Sequence, residues 1–232
     1  MENNFSGHEE TINWGEQAVG SIVAKLPSAA DVFKANKIDF CCGGQRLLST
    51  AIAEQKIPAE KIFQELNAAW AAMQESSGTV NYTELSQGAL AAYIENQHHT
   101  FMHEALPVIG GQLHAVLKAH GQNHPELFKI YTLFSQLKGE LEQHLVKEEV
   151  LLFPKYKHGE GDDAESRRIV AELKAEHEAA GKILKTLREL THDYTVPADA
   201  CGTFKSVYEN LVTMESDLFQ HIHLENNILL LK

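Results

Sequence analysis

Two segments of the sequence carry histidine and glutamate in the same arrangement. HLVKEEVLLFPK begins at His144 and HIHLENNILLLK begins at His221, and each has a glutamate four residues later, at Glu148 and Glu225. Positions i and i+4 of an α-helix lie on one face about one turn apart, so each segment presents an imidazole and a carboxylate in one direction. Imidazole nitrogen and carboxylate oxygen are common metal ligands. Both segments therefore predict metal binding.

Two further histidines extend this repeat. His99 precedes His144 by 45 residues, and His177 precedes His221 by 44 residues. If each of the four lies on its own helix, four imidazoles and two carboxylates meet at the centre of a four-helix bundle, which is a ligand set for two metal ions with bridging glutamates. The ions would also offset the cost of burying two carboxylates. The predicted ligands are His99, His144, Glu148, His177, His221 and Glu225.

The segment HHTFMH offers three histidines for the first ligand position. His99 lies 78 residues before His177, close to the 77 residues that separate the two His-x-x-x-Glu segments, whereas His103 lies only 74 residues before it. The spacing therefore favours His99. We interpret His103 as a group beside the ligands or along an access path, and the role of His98 stays open. The histidines outside the repeat receive no role: His8, His114, His120, His124, His158, His192 and His223.

The predicted ligand set indicates which metal it would hold. None of the six ligands is a thiolate, whereas a structural zinc site usually has four ligands with cysteines among them. Imidazole with carboxylate suits iron or manganese, and we favour iron. Two ions that share six protein ligands keep coordination positions for an oxo or hydroxo bridge and for a small exogenous molecule. We therefore predict a non-haem di-iron centre.

The segment IDFCCGGQ, residues 38–45, places Cys41 and Cys42 side by side before two glycines. The chain has three cysteines, which do not make a disulfide framework, and a bond between neighbours would constrain the unfolded chain little. Glycine lets a partner approach the backbone closely, and a helix N-terminus just downstream can lower a thiol pKa. We predict that Cys41 and Cys42 accept or pass iron, or supply electrons. A buried packing pair is the alternative, and Cys201 is interpreted as an ordinary packing or helix N-terminal residue.

The elements that must position these residues are helices. Apolar residues recur three and four positions apart, with glycine or proline between segments. Four long helices are predicted, at 84–120, 125–153, 163–193 and 199–231. We expect a break or kink at Pro107, and we expect Pro154 and Gly159 to end the second helix. Long amphipathic helices with short connections predict an antiparallel four-helix bundle.

The region before the bundle contains several shorter helical segments. The small and polar segment at 75–83 is the predicted boundary. We therefore predict an all-α protein with two domains. Residues 1–76 would form a small helical domain with the Cys-Cys-Gly-Gly turn, and residues 84–232 would form the bundle.

Composition excludes several classes of function. The chain has 232 residues and a formal net charge of −12, without the clustered lysine and arginine that nucleic-acid binding needs. No apolar run reaches the roughly 18 to 20 residues of a membrane span. The polar, acidic N-terminus lacks the pattern of a secretory signal, so we expect a cytoplasmic protein. The sequence is compatible with a homodimer.

In its cysteine turn and its four histidine-bearing segments, the sequence resembles the iron-sulfur cluster repair di-iron proteins, which join a small N-terminal cysteine domain to a hemerythrin-like bundle. DFCCGGQRLL resembles the signature of the small domain, and HHTFMHEALP, HLVKEEVLLFP, AEHEAAG and HIHLENNIL resemble the four ligand-bearing segments. The resemblance covers nearly the whole chain and implies the same six ligands. The chain ends in ILLLK, where the family usually has an aromatic residue and a proline, which leaves the geometry of the last turn open.

The resemblance implies a protein that protects or restores iron-sulfur enzymes after nitric oxide or oxidative damage, by donating iron or by nitric oxide chemistry at the di-iron centre. Damaged iron-sulfur proteins would be its partners, and nitric oxide or dioxygen its small ligands. One alternative is an oxygen or nitric oxide carrier of hemerythrin type, which would place a histidine where this chain has Glu225. Another is a nitric oxide reductase, so enzymatic turnover stays open. A sensor is disfavoured because no signalling module is appended.

Overall fold

The computed structural model describes residues 12–75 and 80–232, and these residues form helices without a strand. The prediction of an all-α fold is confirmed. The chain divides into two compact units, Met1–Thr79 and Val80–Lys232. His8 and residues 76–79 of the predicted boundary lie outside the described residues. Among the helices that the structure describes, none has both the length and the apolar character that crossing a bilayer requires.

The described residues of the first unit form four α-helices, of 7, 7, 8 and 17 residues. They are α1 (Val19–Lys25), α2 (Ala29–Ala35), α3 (Leu48–Gln55) and α4 (Ala59–Glu75). Helices of fewer than about 12 residues are marginal alone, so α1 to α3 depend on tertiary packing. Ile22, Phe33, Leu48 and Ile62 have no exposed surface and supply that packing, one from each helix.

The loop between α2 and α3 carries the adjacent cysteines and is fastened to the start of α1. The Val19 amide donates to the Arg46 carbonyl (2.9 Å), and the Gly20 amide donates to the Gly44 carbonyl (2.8 Å). An added Cβ at Gly43 would lie 2.5 Å from the nearest guanidinium nitrogen of Arg46, so the end of that flexible side chain would have to move. The two backbone hydrogen bonds define how the loop lies against α1.

The second unit is built from four rods, named A to D in chain order. Rod A is α5 (Gln87–Ile94), a π-helical segment (Glu95–His99) and α6 (Thr100–His120); rod B is α7 (Glu126–Lys147), a π-helical segment (Glu148–Leu152) and α8 (Phe153–His158); rod C is α9 (Ala164–Leu190); and rod D is α10 (Gly202–Asn227). Rod A contacts rods B and D, and rod C contacts rods B and D. The rods therefore follow one another around the bundle in the order A, B, C, D. The prediction of a four-helix bundle is confirmed.

The prolines interrupt the rods less than predicted. We expected a break or kink at Pro107, and the helix does not break there, because α6 continues through it, with Leu106 and Ile109 buried on either side; the kink stays a prediction. Tertiary packing of these two residues stabilises the helix on both sides of the proline. Pro154 does not end rod B either, because it lies in the first turn of α8, where its missing N–H is tolerated. Gly159 ends the rod as predicted, in a left-handed conformation with φ of 75°.

Rod D ends earlier than predicted, at Asn227 rather than at residue 231. A short 3-10 helix, Leu229–Leu231, follows it. Leu229 is fully buried, and the Gln87 side-chain amide donates to its carbonyl (3.4 Å). The last turn is therefore held against rod A by packing, which the local sequence pattern does not reveal.

A buried carboxylate fastens the loop between rods C and D. Glu215 of rod D is 1% exposed, pairs with Arg188 and accepts a hydrogen bond from the Tyr194 hydroxyl. His192, Asp193 and Tyr194 all have left-handed backbone angles, with φ of 50°, 56° and 57°. Such conformations are strained for residues other than glycine, and the anchored Tyr194 side chain holds this loop in place.

Candidate metal centre

The structure brings the six predicted ligands together inside the bundle. Rods A and C contribute one histidine each, and rods B and D contribute one histidine and one glutamate each. The six side chains are almost fully buried, with 0 to 3% of each residue exposed: His99, His144, Glu148, His177, His221 and Glu225. Their assignment as metal ligands stays a prediction.

The six side chains form two groups of four that share both glutamates. The first group adds His99 and His221 to Glu148 and Glu225, and the second adds His144 and His177 to the same pair. Within each group the ligand atoms lie within 4.8 Å of one another. The sequence did not predict this pairing of histidines, because it depends on how the rods are arranged around the bundle.

The chemistry of these groups fits metal ions. Among the residues that the structure describes, neither carboxylate oxygen of the buried Glu148 has a hydrogen-bond partner, and the nearest imidazole nitrogen, Nε2 of His144, is 3.3 Å away. A buried carboxylate without hydrogen-bond donors is costly unless a cation compensates it. Four ligand atoms of nitrogen and oxygen around each position suit iron or manganese.

Each of the two π-helical segments contains one predicted ligand, His99 on rod A and Glu148 on rod B. His99 is the last residue of one segment, and Glu148 is the first residue of the other. A π turn contains more residues than an α turn, so it changes which side chains face the bundle centre, and such turns are frequent at functional sites. The i, i+4 argument from the sequence did not include this change.

Protons would compete with metal ions for the predicted ligands. Burial opposes the charge on His99 and His144, yet contacts with Glu148 and other carboxylates raise the pKa of each histidine to about 10. The pKa of Glu148 is lowered: burial and the charge of Glu225 oppose ionisation, but the neighbouring histidines prevail. In the metal-free protein these two imidazoles therefore stay doubly protonated and positively charged up to a pH of about 10.

Metal loading at pH 8 is expected to release about two protons per chain, from His99 and His144, because metal binds only neutral imidazole. The apparent affinity should fall as the pH is lowered from 10, since protons then compete more strongly. Calorimetric titration of the metal-free chain with ferrous iron, in buffers of different ionisation enthalpy, measures this release. The exposed His158→Ala variant should release the same number of protons, and a pH-independent affinity would contradict the prediction.

Three of the four histidines are held from outside the centre by a polar side chain, which we call the outer partner. The outer partners accept hydrogen bonds from imidazole Nδ1–H groups, at 2.9 Å for His99 to Glu149, 2.8 Å for His144 to Glu176 and 2.9 Å for His177 to Asn226. These bonds fix the rings so that Nε2 faces the centre.

Sequence reasoning missed the outer partners, although a signal was present. Each of Glu149, Glu176 and Asn226 is the immediate neighbour of a predicted ligand in the sequence. Adjacent residues on a helix differ by about 100° in direction, so a neighbour lies on the flank of the ligand-bearing face and can reach the next rod. A polar residue beside a ligand is therefore a candidate outer partner.

Two other histidines that sequence reasoning considered differ in their surroundings. The His103 side chain is 47% exposed, belongs to neither group of four, and has its Nε2 3.1 Å from Glu149 Oε1. His223, which received no role, is buried, and its Nδ1 lies 3.2 Å from the Asn227 side-chain amide.

The adjacent cysteines lie in a turn organised by Asp39. Its carboxylate accepts hydrogen bonds from the amides of Cys41 (3.0 Å), Cys42 (3.1 Å) and Gly43 (3.0 Å). The two Sγ atoms are 3.7 Å apart, beyond the roughly 2.05 Å of a disulfide bond. Cys41 is 3% exposed, whereas Cys42 is half-buried.

The expectation of a lowered thiol pKa is wrong for Cys41. A hydrogen bond with Cys42, burial and the negative charge of Asp39 raise the pKa of the Cys41 thiol well above its usual value. The helix that was expected to lower it begins only at Leu48. The turn therefore holds Cys41 as a protonated thiol.

Comparisons with known proteins agree with both units. Residues 15–70 match the ScdA_N family, described as a domain of unknown function (DUF542), and residues 91–232 match the hemerythrin HHE cation binding domain. Iron-sulfur cluster repair protein ScdA of Staphylococcus haemolyticus is 34% identical, over 92% of this chain and 96% of the relative. ScdA of Staphylococcus epidermidis is 33% identical over 94% and 97%. YtfE of Yersinia pseudotuberculosis, also an iron-sulfur cluster repair protein, is 30% identical over 94% and 96%.

The matches cover the cysteine turn and the buried histidines and glutamates together. The chain is at least 30% identical, over more than nine tenths of its length, to relatives of one description, and it therefore shares their family. This chain therefore belongs to the iron-sulfur cluster repair proteins that combine an ScdA_N domain with a hemerythrin HHE cation binding domain.

Proposed function

We propose that the bundle holds two iron ions and that the protein uses them to repair or protect damaged iron-sulfur clusters. One ion would be held by His99 and His221, the other by His144 and His177, with both glutamates shared. The observation that carries the proposal is the pair of overlapping four-ligand groups. When bound, the iron pair supplies electrons and open coordination positions for a small molecule such as nitric oxide or dioxygen.

The protein's own residues would bind, shield and orient this centre. The buried ligands exclude bulk water, and the outer partners Glu149, Glu176 and Asn226 hold three imidazoles with Nε2 inward. In residues 1–76, proposed as a separate domain from the bundle at 84–232, Cys41 and Cys42 would exchange iron or electrons with a client. Cys42 is the more accessible thiol and would meet the client first.

The names of the relatives indicate the client class. ScdA and YtfE relatives are named iron-sulfur cluster repair proteins, and we extend that activity to this chain. Its partners would be iron-sulfur proteins that have lost iron to nitric oxide or oxidants. We place the activity in the cytoplasm, where thiols such as Cys41 and Cys42 stay reduced.

A repair assay tests the proposed function. An iron-sulfur enzyme inactivated with nitric oxide is incubated anaerobically with the full chain, either loaded with ferrous iron or metal-free. The loaded chain is expected to restore activity and the metal-free chain is not. Free ferrous iron at the same concentration is the control, and equal recovery with free iron would count against the proposal.

Reduction of nitric oxide is a second candidate function. Each metal position has four protein ligand atoms, which leaves coordination positions open. Nitrous oxide produced anaerobically by the iron-loaded chain with a reductant distinguishes the two functions. Sustained production beyond one equivalent per metal pair would indicate catalytic turnover, whereas at most one equivalent with full repair activity would indicate repair alone.

A further inference from the structure

The outer hydrogen bonds of the metal centre follow the order of the rods. The ligand histidine of rod A is held from rod B, that of rod B from rod C, and that of rod C from rod D. The holding residues, each next in sequence to a predicted ligand of its own rod, are Glu149, Glu176 and Asn226. One place remains in this order: rod A should hold His221, the ligand histidine of rod D.

His98 occupies that place. It precedes the ligand His99 on rod A, and only 6% of it is exposed. Its ring stacks on the ring of His221, with centroids 5.7 Å apart and planes inclined by 10°. Asp217 of rod D accepts a hydrogen bond from His98 Nδ1–H (2.9 Å), and Tyr93 packs edge-on against the ring at 5.9 Å. His98 is therefore fixed on three sides.

Three buried polar atoms of these side chains have no hydrogen-bond partner within residues 12–75 and 80–232: His98 Nε2, Asp217 Oδ2 and His221 Nδ1. Their hydrogen-bonding characters are complementary. With Nδ1–H donating to Asp217, His98 Nε2 is an acceptor, and Asp217 Oδ2 is a second acceptor. His221 Nδ1–H is a donor, since its Nε2 faces the centre, 2.8 Å from Glu225 Oε1. One water can accept one bond and donate two, and buried waters make about three hydrogen bonds.

We propose that His98 and Asp217 are positioning residues for His221 and that one buried water joins His221 Nδ1–H to His98 Nε2 and Asp217 Oδ2. Asp217 Oδ2 is buried, although the Asp217 side chain as a whole is 25% exposed. This arrangement replaces the direct outer partner that the other three histidines have. It rests on the proposed function, because its measurable effect is on the metal ion held by His99 and His221.

Chelator competition on the full chain loaded with ferrous iron tests the positioning role. The Asp217→Ala variant frees the His98 ring and removes one hydrogen-bond acceptor. It is expected to lower the affinity for the ion at His99 and His221 about 10- to 100-fold, which is typical for loss of an outer partner. The ion at His144 and His177 should be retained. In Asp217→Asn the amide oxygen can still accept a hydrogen bond from His98. The affinity of this variant for the same ion should lie within about threefold of wild type.

A second variant separates stacking from hydrogen bonding. His98→Phe keeps a ring between Tyr93 and His221 but removes both nitrogens. The variant is expected to lose affinity for the same ion as Asp217→Ala does. A His98→Phe variant with wild-type affinity for that ion would overturn the water bridge. His124→Phe and Asp199→Ala are matched controls, since His124 Nε2 lies 3.1 Å from Asp199 outside both groups of four. Both controls should leave the chelator profile unchanged, and thermal unfolding confirms that each variant folds.

Failure of the inference can be told from failure of the proposed function. A wild-type chain that takes up fewer than two ferrous ions contradicts the proposed di-iron centre. Two ions in wild type, with unchanged profiles in Asp217→Ala and His98→Phe, contradict the positioning role alone. A crystal structure of the metal-free full chain tests the bridge independently: a water within about 3.2 Å of all three atoms supports it, and its absence overturns it.

Discussion

Replacing Glu225 by glutamine is expected to remove both metal ions rather than one. Glu225 belongs to both groups of four, as Glu148 does, so its loss takes a ligand from each position. Glutamine has nearly the same volume, which leaves the packing of the bundle intact while removing the negative charge. Iron analysis of the purified full chain should fall from two ions to almost none, and Glu148→Gln should give the same result.

Thermal or chemical unfolding provides a second measurement of the same variant. Ferrous iron at about 1,000 times its dissociation constant stabilises a protein that binds it only when folded by about 4 kcal/mol per site. Wild type should show this gain, and Glu225→Gln should not. The exposed Glu142→Gln, which loses only an ion pair with Lys138, is the matched control. His99→Ala should lose one ion, and a Glu225→Gln chain with one fully occupied position would show that the glutamates are not shared.

Serine at both Cys41 and Cys42 is expected to abolish repair while leaving two iron ions in the bundle. Serine is close to cysteine in size, and the three backbone amides that Asp39 accepts from remain, so the turn should keep its shape. Only the thiol chemistry is lost, because the thiolate is the metal ligand and the nucleophile. Recovery of a nitric oxide-damaged iron-sulfur enzyme, with iron analysis of the same sample, measures both outcomes.

Single substitutions refine this division of labour. Cys42→Ser should have the larger effect, because Cys42 is half-buried whereas Cys41 is 3% exposed and held as a thiol. Cys201→Ser, an exposed cysteine before rod D, is the matched control and should repair as wild type does. Loss of iron together with the two thiols would show that the cysteines contribute to metal retention in the bundle.

The local pattern of the sequence predicted the fold class well and the ends of the helices less well. Apolar periodicity is set by helix geometry, so four rods could be read directly. Rod B continues past Pro154 because that proline lies in the first turn of α8, and rod D stops at Asn227, just before the buried Leu229. The end of rod D depends on contacts with rod A, which the local pattern does not contain.

The pKa of the Cys41 thiol is a second property that the local sequence pattern did not predict. The downstream helix was visible in the sequence, and its N-terminus suggested a lowered pKa for the thiols. Burial of Cys41, its contact with Cys42 and the charge of Asp39 instead raise it. Burial is a property of the folded unit, and no spacing along the chain encodes it.

The sequence by itself determined which six side chains could meet, because the i, i+4 spacing and the repeated unit place them on one face of each of four helices. Only the tertiary structure decided that His99 joins His221 while His144 joins His177, and that Glu149, Glu176, Asn226 and His98 surround them. The physical reason is that the helical repeat fixes the direction of side chains only within one rod. The contacts between side chains of different rods depend on how the rods are ordered and packed.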